Sequence, residues 1–479
     1  MKSYNFAMKT NINIIGFLLF CVFMIASCII AEFNTSYSIY PGLNLFLILY
    51  IAFYLKTNGI LTLKPEIIIV IMTFICFSCN YMLNRKYYIY PVSVYNKSAV
   101  YIGLCILGII AGCNFPMRKR SETKIKCFKL YPSRSSILII CIFCLCITVL
   151  MQLLGYKTTH SAEMDKSNFM LDILFMIKTA LQKIIYFDCF FYLIKGEKRK
   201  FWKEELIIVI LNFGLSVLSG SRGSAILSLA VFPYIYVLYN KKIPIKFIIF
   251  SAIFLLMIVP FSIVYRDMDL FLSSSVDRGI SAKLSAFFQA AKNVKFDSDT
   301  FNFVSRYVFG RFSRIEQSLR IIDFMPDKIP YQNGTTVFPH ILISLIPSSI
   351  LPNRPLTNIG KWFGINFKFT PAKNAVFITA GIMNEFFINF SMFGFLGCFV
   401  SGILIKKARH YWFVNKKYLF INIVYYDIFY SFAFMYNESY IVSGILTIFK
   451  SSVFLLFVLI AIYLLDRNIK SLDWSKNEK

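Results

Sequence analysis

The chain has 479 residues, of which 57% are hydrophobic, 18% aromatic and only 16% charged. No soluble domain of this length hides so much apolar surface, so the fold class is an all-α polytopic membrane protein. The formal net charge of +27 is read as a topology signal, and in a chain this apolar it speaks against nucleic acid as a partner.

A membrane-crossing helix needs about 20 mostly apolar residues. Twelve stretches qualify, centred near residues 21, 48, 75, 106, 145, 184, 212, 231, 256, 390, 426 and 453. The first has no small-residue cleavage site after it and is expected to be a retained span. Three regions follow from this pattern: spans one to nine over residues 1–265, a large loop with amphipathic helices over 266–373, and spans ten to twelve with a tail over 374–479. Lysine and arginine concentrate in alternate short loops, most densely at Arg118, Lys119, Arg120, Lys124, Lys126, Lys129 and Arg134. By the excess of positive charge in cytoplasmic loops, both termini are expected in the cytoplasm and the large loop outside. Eleven of the twelve cysteines fall within the expected spans, and none lies in the outer loop. A disulfide framework is therefore not expected, and these residues read as small apolar packing groups.

Taken in order, the first five spans carry almost no polar residue at membrane depth and read as scaffold. The sixth carries Asp172, Lys178, Lys183 and Asp188. Ionisable groups at such depth are costly, so Lys178 either lines a polar cavity or is paired locally. Spans seven and eight meet at Ser219-Gly220-Ser221-Arg222-Gly223-Ser224, between apolar arms of only about 13 and 15 residues, short of the usual span. The turn is expected to sink below the outer surface with Arg222. Backbone amides and a guanidinium at a helix start suit phosphate; an ordinary capped hairpin is the other reading.

The outer loop then offers an amphipathic helix from about Ser281, with Ile280, Leu284, Phe287, Phe288, Ala291 and Val294 on one face. Asp297 and Asp299 follow, as a helix start or, less simply, a divalent-ion site; no metal and no cofactor are assigned. A single helix is expected from about Thr300 to Phe324, carrying Arg306, Arg311, Arg314 and Arg320 against one acid, Glu316. That excess of arginine reads as a pyrophosphate clamp or as a basic face over anionic lipid. Next come the polar turn Tyr331-Gln332-Asn333-Gly334 and His340, then an apolar stretch too broken by proline to cross a membrane. The chain re-enters through Thr379 to Phe390, placing Glu385 a turn or two inside the outer face. Glu385 and His340 are the candidate general bases; a salt bridge to a loop arginine is the alternative for Glu385.

Arginines, a base, aromatic groups and a greasy opening together match a polyprenyl pyrophosphate sugar, whose leaving group arginine can stabilise without a metal. The residues that carry a family likeness are the Ser221-Arg222-Gly223 turn, Arg306 and Arg311, the segment from Ile346-Pro347 to Pro352-Asn353-Arg354-Pro355, and Gly381 to Gly394 with Glu385, Asn389 and Phe390. In these the chain resembles the O-antigen (oligosaccharide repeat-unit) polymerases, the Wzy family. The likeness covers about the second half of the chain. It departs at Met383-Asn384, where a glycine is expected, and at Ser391-Met392, which separates Phe390 from Phe393-Gly394.

The resemblance implies transfer of a growing glycan from undecaprenyl pyrophosphate onto the next undecaprenyl-linked repeat unit, on the periplasmic side of a bacterial inner membrane. It implies a fold of the lipid-dependent (GT-C type) glycosyltransferase kind, no cofactor, membrane lipid as surroundings and a chain-length regulator as a possible partner. Arg222, Arg306, Arg311, Arg314 and Lys178 would face the pyrophosphate; Tyr331 and Asn389 would face the glycan. An O-antigen ligase, relying on His340, and a flippase of the same lipid-linked unit are the competing readings.

Overall fold

The computed structural model describes residues 39–58, 65–79, 90–116, 134–153, 169–195, 313–345, 359–371, 378–412 and 439–477, with isolated positions between them. Regular structure among the described residues is helical, without a strand. Helix α1 spans Tyr40–Asn58, and α2 spans Pro65–Thr73 before running on as a π-helical segment, Phe74–Cys79. Then come α3 (Val92–Asn114), α4 (Arg134–Leu153) and α5 (Phe169–Lys195). Pro41, Pro65 and Pro91 mark the starts of α1, α2 and α3. At a first turn proline costs no hydrogen bond and arrives with its φ already set. The long stretch between the apolar runs supplies α6 (Ile315–Phe324), α7 (Phe338–Leu345) and α8 (Gly360–Asn366). Helix α9 (Ile382–Phe390) passes through a 3-10 turn, Ser391–Gly394, into α10 (Phe395–Trp412), and α11 (Ile441–Asn477) closes the chain.

Three of these helices are long and apolar enough to cross a membrane: Val92–Asn114, Ile382–Lys407 and Ile441–Leu465. Shorter apolar helices run over Tyr40–Tyr54, Glu66–Phe77 and Ser136–Met151. Large side chains lie exposed in stripes at helical spacing, such as Leu45, Ile48 and Leu49 on α1, and Ile139, Ile142 and Phe143 on α4. Unpartnered apolar stripes of this kind belong against hydrocarbon. The chain is thus a helical membrane protein in its described parts.

The chain divides into two units. The first draws on residues 1–122, 309–411 and 428–447, and the second on residues 123–308, 412–427 and 448–479. Within the first, α3 and α10 run parallel and come very close. A Cβ added at Gly108 would lie 2.6 Å from the Phe395 carbonyl oxygen, one at Gly112 2.1 Å from that of Phe399, and one at Gly402 2.4 Å from that of Ile109. The Cys113 thiol donates to the Gly402 carbonyl at 3.4 Å. Small residues four apart let membrane helices approach until dispersion between backbones replaces the hydrophobic effect that lipid cannot supply. Tyr40, Ser98 and Ser318 form a hydroxyl chain, 2.8 and 2.9 Å between oxygens, that ties α1, α3 and α6 together.

The single helix expected from Thr300 to Phe324 is corrected in its described part. Ser313 and Arg314 are not helical, and α6 begins only at Ile315. The reason is tertiary: the Arg314 amide donates to the Cys76 carbonyl at 2.9 Å, in the π-helical segment. A π turn leaves a carbonyl free of its usual partner, and Thr73 begins the distortion by bonding back to Ile69 at 2.8 Å. At the other end α6 stops before Pro326, whose ring disfavours helix in the residue ahead of it.

In the second unit α4 packs on α5. Lys183 of α5 donates to Ser451 at 2.8 Å, and Phe187, Tyr234 and Tyr426 meet edge to face with ring centroids 5.2–5.9 Å apart.

Gly112→Ala forces its Cβ into a backbone carbonyl, a form of overpacking that typically costs about 1–3 kcal/mol. Gly444, whose added Cβ would meet nothing closer than 3.7 Å, is the control. Thermal unfolding in detergent is expected to fall for Gly112→Ala and to stay level or rise for Gly444→Ala.

Candidate functional site

Helix α9 is built to be held at both ends. Gly381 opens it at φ +86°, ψ 153°, a conformation that side chains with a Cβ rarely take. The Ile382 amide then reaches the Tyr436 carbonyl at 2.9 Å. At the far end Ser391, at φ +54°, breaks the helix. The break frees the carbonyls of Ile388 and Asn389, which would otherwise accept from the next helical turn. They accept instead from the amides of Gln332, at 2.9 Å, and Asn333, at 3.1 Å. The polar turn Tyr331-Gln332-Asn333-Gly334 is therefore docked on the broken end of α9.

Asn389 completes that docking. Its side-chain oxygen accepts from the Gly334 amide at 2.9 Å, and its nitrogen donates to Thr336 Oγ1 at 2.7 Å and to the Glu385 carbonyl at 2.8 Å. Gly334 sits at φ +87° and presses on the Phe338 ring. Tyr331 takes a hydrogen bond from Ser391 at 2.9 Å and packs edge-on against Phe387. The same Phe387 ring meets Tyr101 at 4.8 Å, and Lys97 lies over its face.

Glu385 lies at the centre and is wholly buried. One carboxylate oxygen accepts from Thr336 Oγ1 at 3.3 Å, the other from the Ile441 amide at 2.5 Å, the first amide of α11. Orphan amides at a helix start favour a carboxylate, so the same side chain joins the outer turn, α9 and α11. The preceding residue, Tyr440, donates to the Ile378 carbonyl at 2.5 Å. Burial, and then the nearby Glu385 charge, push the Tyr440 phenol above its ordinary range; the Ala380 backbone and Arg314 pull the other way. Arg314 is itself 9% exposed and bonds the Ser313 carbonyl at 2.9 Å.

Glu385, Asn389, Tyr331 and Arg314 are gathered in the first unit, with Tyr440 and Thr336, which the sequence reading did not single out. Thr336 gave no signal in its polar turn, and Tyr440 stood only as one more aromatic before an apolar run. His340 is half-buried on α7, with Nδ1 buried and without a hydrogen-bond partner. Lys178 belongs to the second unit, buried on α5, where the Cys144 thiol approaches its carbonyl at 4.0 Å. Arg222, Arg306 and Arg311, together with Asp297 and Asp299, lie outside the described residues. Arg320 is occupied: it bridges to Glu316 at 2.8 Å, donates to the Lys368 carbonyl at 2.9 Å and stacks on Phe369.

Asn389→Leu keeps the branched heavy-atom skeleton and removes all three bonds. The buried Gly334 amide is left without an acceptor, at a cost of about 1–3 kcal/mol for that group alone. Lower thermal stability in detergent, with faster proteolysis between residues 331 and 345, is the expected result. No family model matches the chain, and neither a curated protein nor a solved structure matches it.

Proposed function

We propose that the chain is a glycosyltransferase of about twelve spans and lipid-dependent (GT-C type) fold. It polymerises undecaprenyl-pyrophosphate-linked repeat units into O-antigen polysaccharide at the periplasmic face of a bacterial inner membrane. The reading rests on the resemblance carried by Arg222, Arg306, Arg311 and the Gly381 to Gly394 segment. The one structural observation that supports it is the wholly buried Glu385 carboxylate, bonded to Thr336 and to the first amide of α11. A carboxylate to take a proton, and guanidinium groups to meet the charge of the leaving group, are what this reaction needs.

In the reaction an acceptor hydroxyl attacks the anomeric carbon of the growing chain. The new C–O bond forms as the bond to pyrophosphate breaks, and the electron pair leaves with undecaprenyl pyrophosphate. The resemblance assigns the neutralising of that departing charge to Arg222, Arg306, Arg311, Arg314 and Lys178. The proton passes to Glu385 through the hydroxyl of Thr336, since each carboxylate oxygen keeps a lone pair beyond its one hydrogen bond. His340 is the second reading for the base, on the strength of its unbonded Nδ1. Tyr331 and Asn389 hold the turn against which the glycan lies.

Glu385→Gln separates chemistry from folding. The amide can still accept from the Ile441 N–H and donate to Thr336, so protein level in the membrane is expected to hold while the ladder of glycan lengths is lost. A normal ladder passes the role to His340, tested as His340→Ala, or to no side chain. Arg222→Ala, Arg306→Ala and Arg311→Ala are each expected to abolish the ladder, and the pyrophosphate site fails if two of the three retain it. Deleting the gene distinguishes the competing functions: loss of a polymerase leaves lipopolysaccharide with one repeat unit, whereas loss of a ligase or a flippase leaves the core bare.

A further inference from the structure

We infer that the outer-loop segment from Tyr331 to Leu345 is re-entrant: it dips below the outer membrane surface beside α9 and lays Phe338 and Leu342 against the acyl chains of the bilayer. Depth is the first argument. The membrane-length segment Ile382–Lys407 has 26 residues, at most about 40 Å at 1.5 Å per residue, less where it bends at Ser391–Gly394, against a hydrocarbon core of about 30 Å. Centred on the core, its ends overhang by at most about 5 Å each. The carbonyls that bind the turn, those of Ile388 and Asn389, lie about 10 Å along α9 from Ile382. The turn is thus held about 5 Å inside the hydrocarbon boundary, at the end away from Lys406 and Lys407.

Backbone that leaves helical form at such depth survives only where its polar groups are satisfied. Here the amides of Gln332, Asn333, Gly334, Thr335, Val337 and Phe338 all have acceptors. Asn333 and Thr335 are exposed, which gives the turn a polar side suited to a wet recess.

The outward apolar face is the second argument. Phe338 and Leu342, one helical turn apart on α7, are 63% and 71% exposed. The Phe338 ring meets that of Phe390 at 6.5 Å, at the end of α9. Just beyond it begins the exposed stripe Phe393, Leu396, Val400 and Leu404, which on a membrane-length helix faces lipid. The α7 face thus continues the lipid-facing stripe of α10, and one solvent covers both.

Depth-dependent quenching tests this in the full chain, reconstituted in phosphatidylcholine whose acyl chains carry bromine. The emission that Leu342→Trp adds to the unsubstituted protein is expected to fall by the same factor as that added by Leu404→Trp, and to resist aqueous iodide. Phe338→Trp is the second variant and is expected to behave alike. Quenching of Leu342→Trp by iodide, or by neither agent, while Leu404→Trp responds to bromine, overturns the inference. The readout is independent of activity, so it stands or falls separately from the proposed polymerase.

Discussion

A carboxylate with no exposed surface has to be supplied with donors by the protein, and at Glu385 they come from Thr336 and from the first amide of α11. Removing either donor would leave part of a buried charge unsatisfied, which is why the three elements meet there in one arrangement. Asn389, one helical turn further on, repeats the connection with three hydrogen bonds of its own. Together they make α9 the frame on which the outer turn and the last helix are hung.

The break at Ser391 and the closeness of α3 and α10 are parts of the same construction. Ending α9 early frees two carbonyls for the outer turn, and the 3-10 turn then directs the chain into α10. There Gly108, Gly112 and Gly402 allow backbone to touch backbone. A side chain at any of the three would push α10 away from α3 and shift the seat of the turn. The same construction places Arg314 at the start of α6, where a π-helical carbonyl captures its amide.

Elements formed by local patterns were legible. The spans expected near residues 48, 75, 106, 145, 184 and 453 each correspond to a described helix, because continuous apolar runs and prolines at helix starts act within a few residues of chain. The departures arose where a remote partner intervened. An uninterrupted helix from Thr300 to Phe324 was the natural reading of its periodicity, but no periodicity registers the Cys76 carbonyl some 240 positions away. The departure at Ser391-Met392 was visible in the sequence as two extra residues, and its meaning, a helix break that receives a turn, was not.

At the site the division is the same. Composition by itself determined a helical membrane protein, because transfer from water to lipid is priced residue by residue. Glu385 stood out as an ionisable group in an apolar run, and Asn389 through the family likeness. Only the tertiary structure decided that these two hold the loop to the helices, that Thr336 and Tyr440 belong with them, and that Lys178 is placed in the other unit. A hydrogen bond depends on a partner at about 3 Å, and nothing in a residue's own type or spacing says which distant partner the fold will bring there.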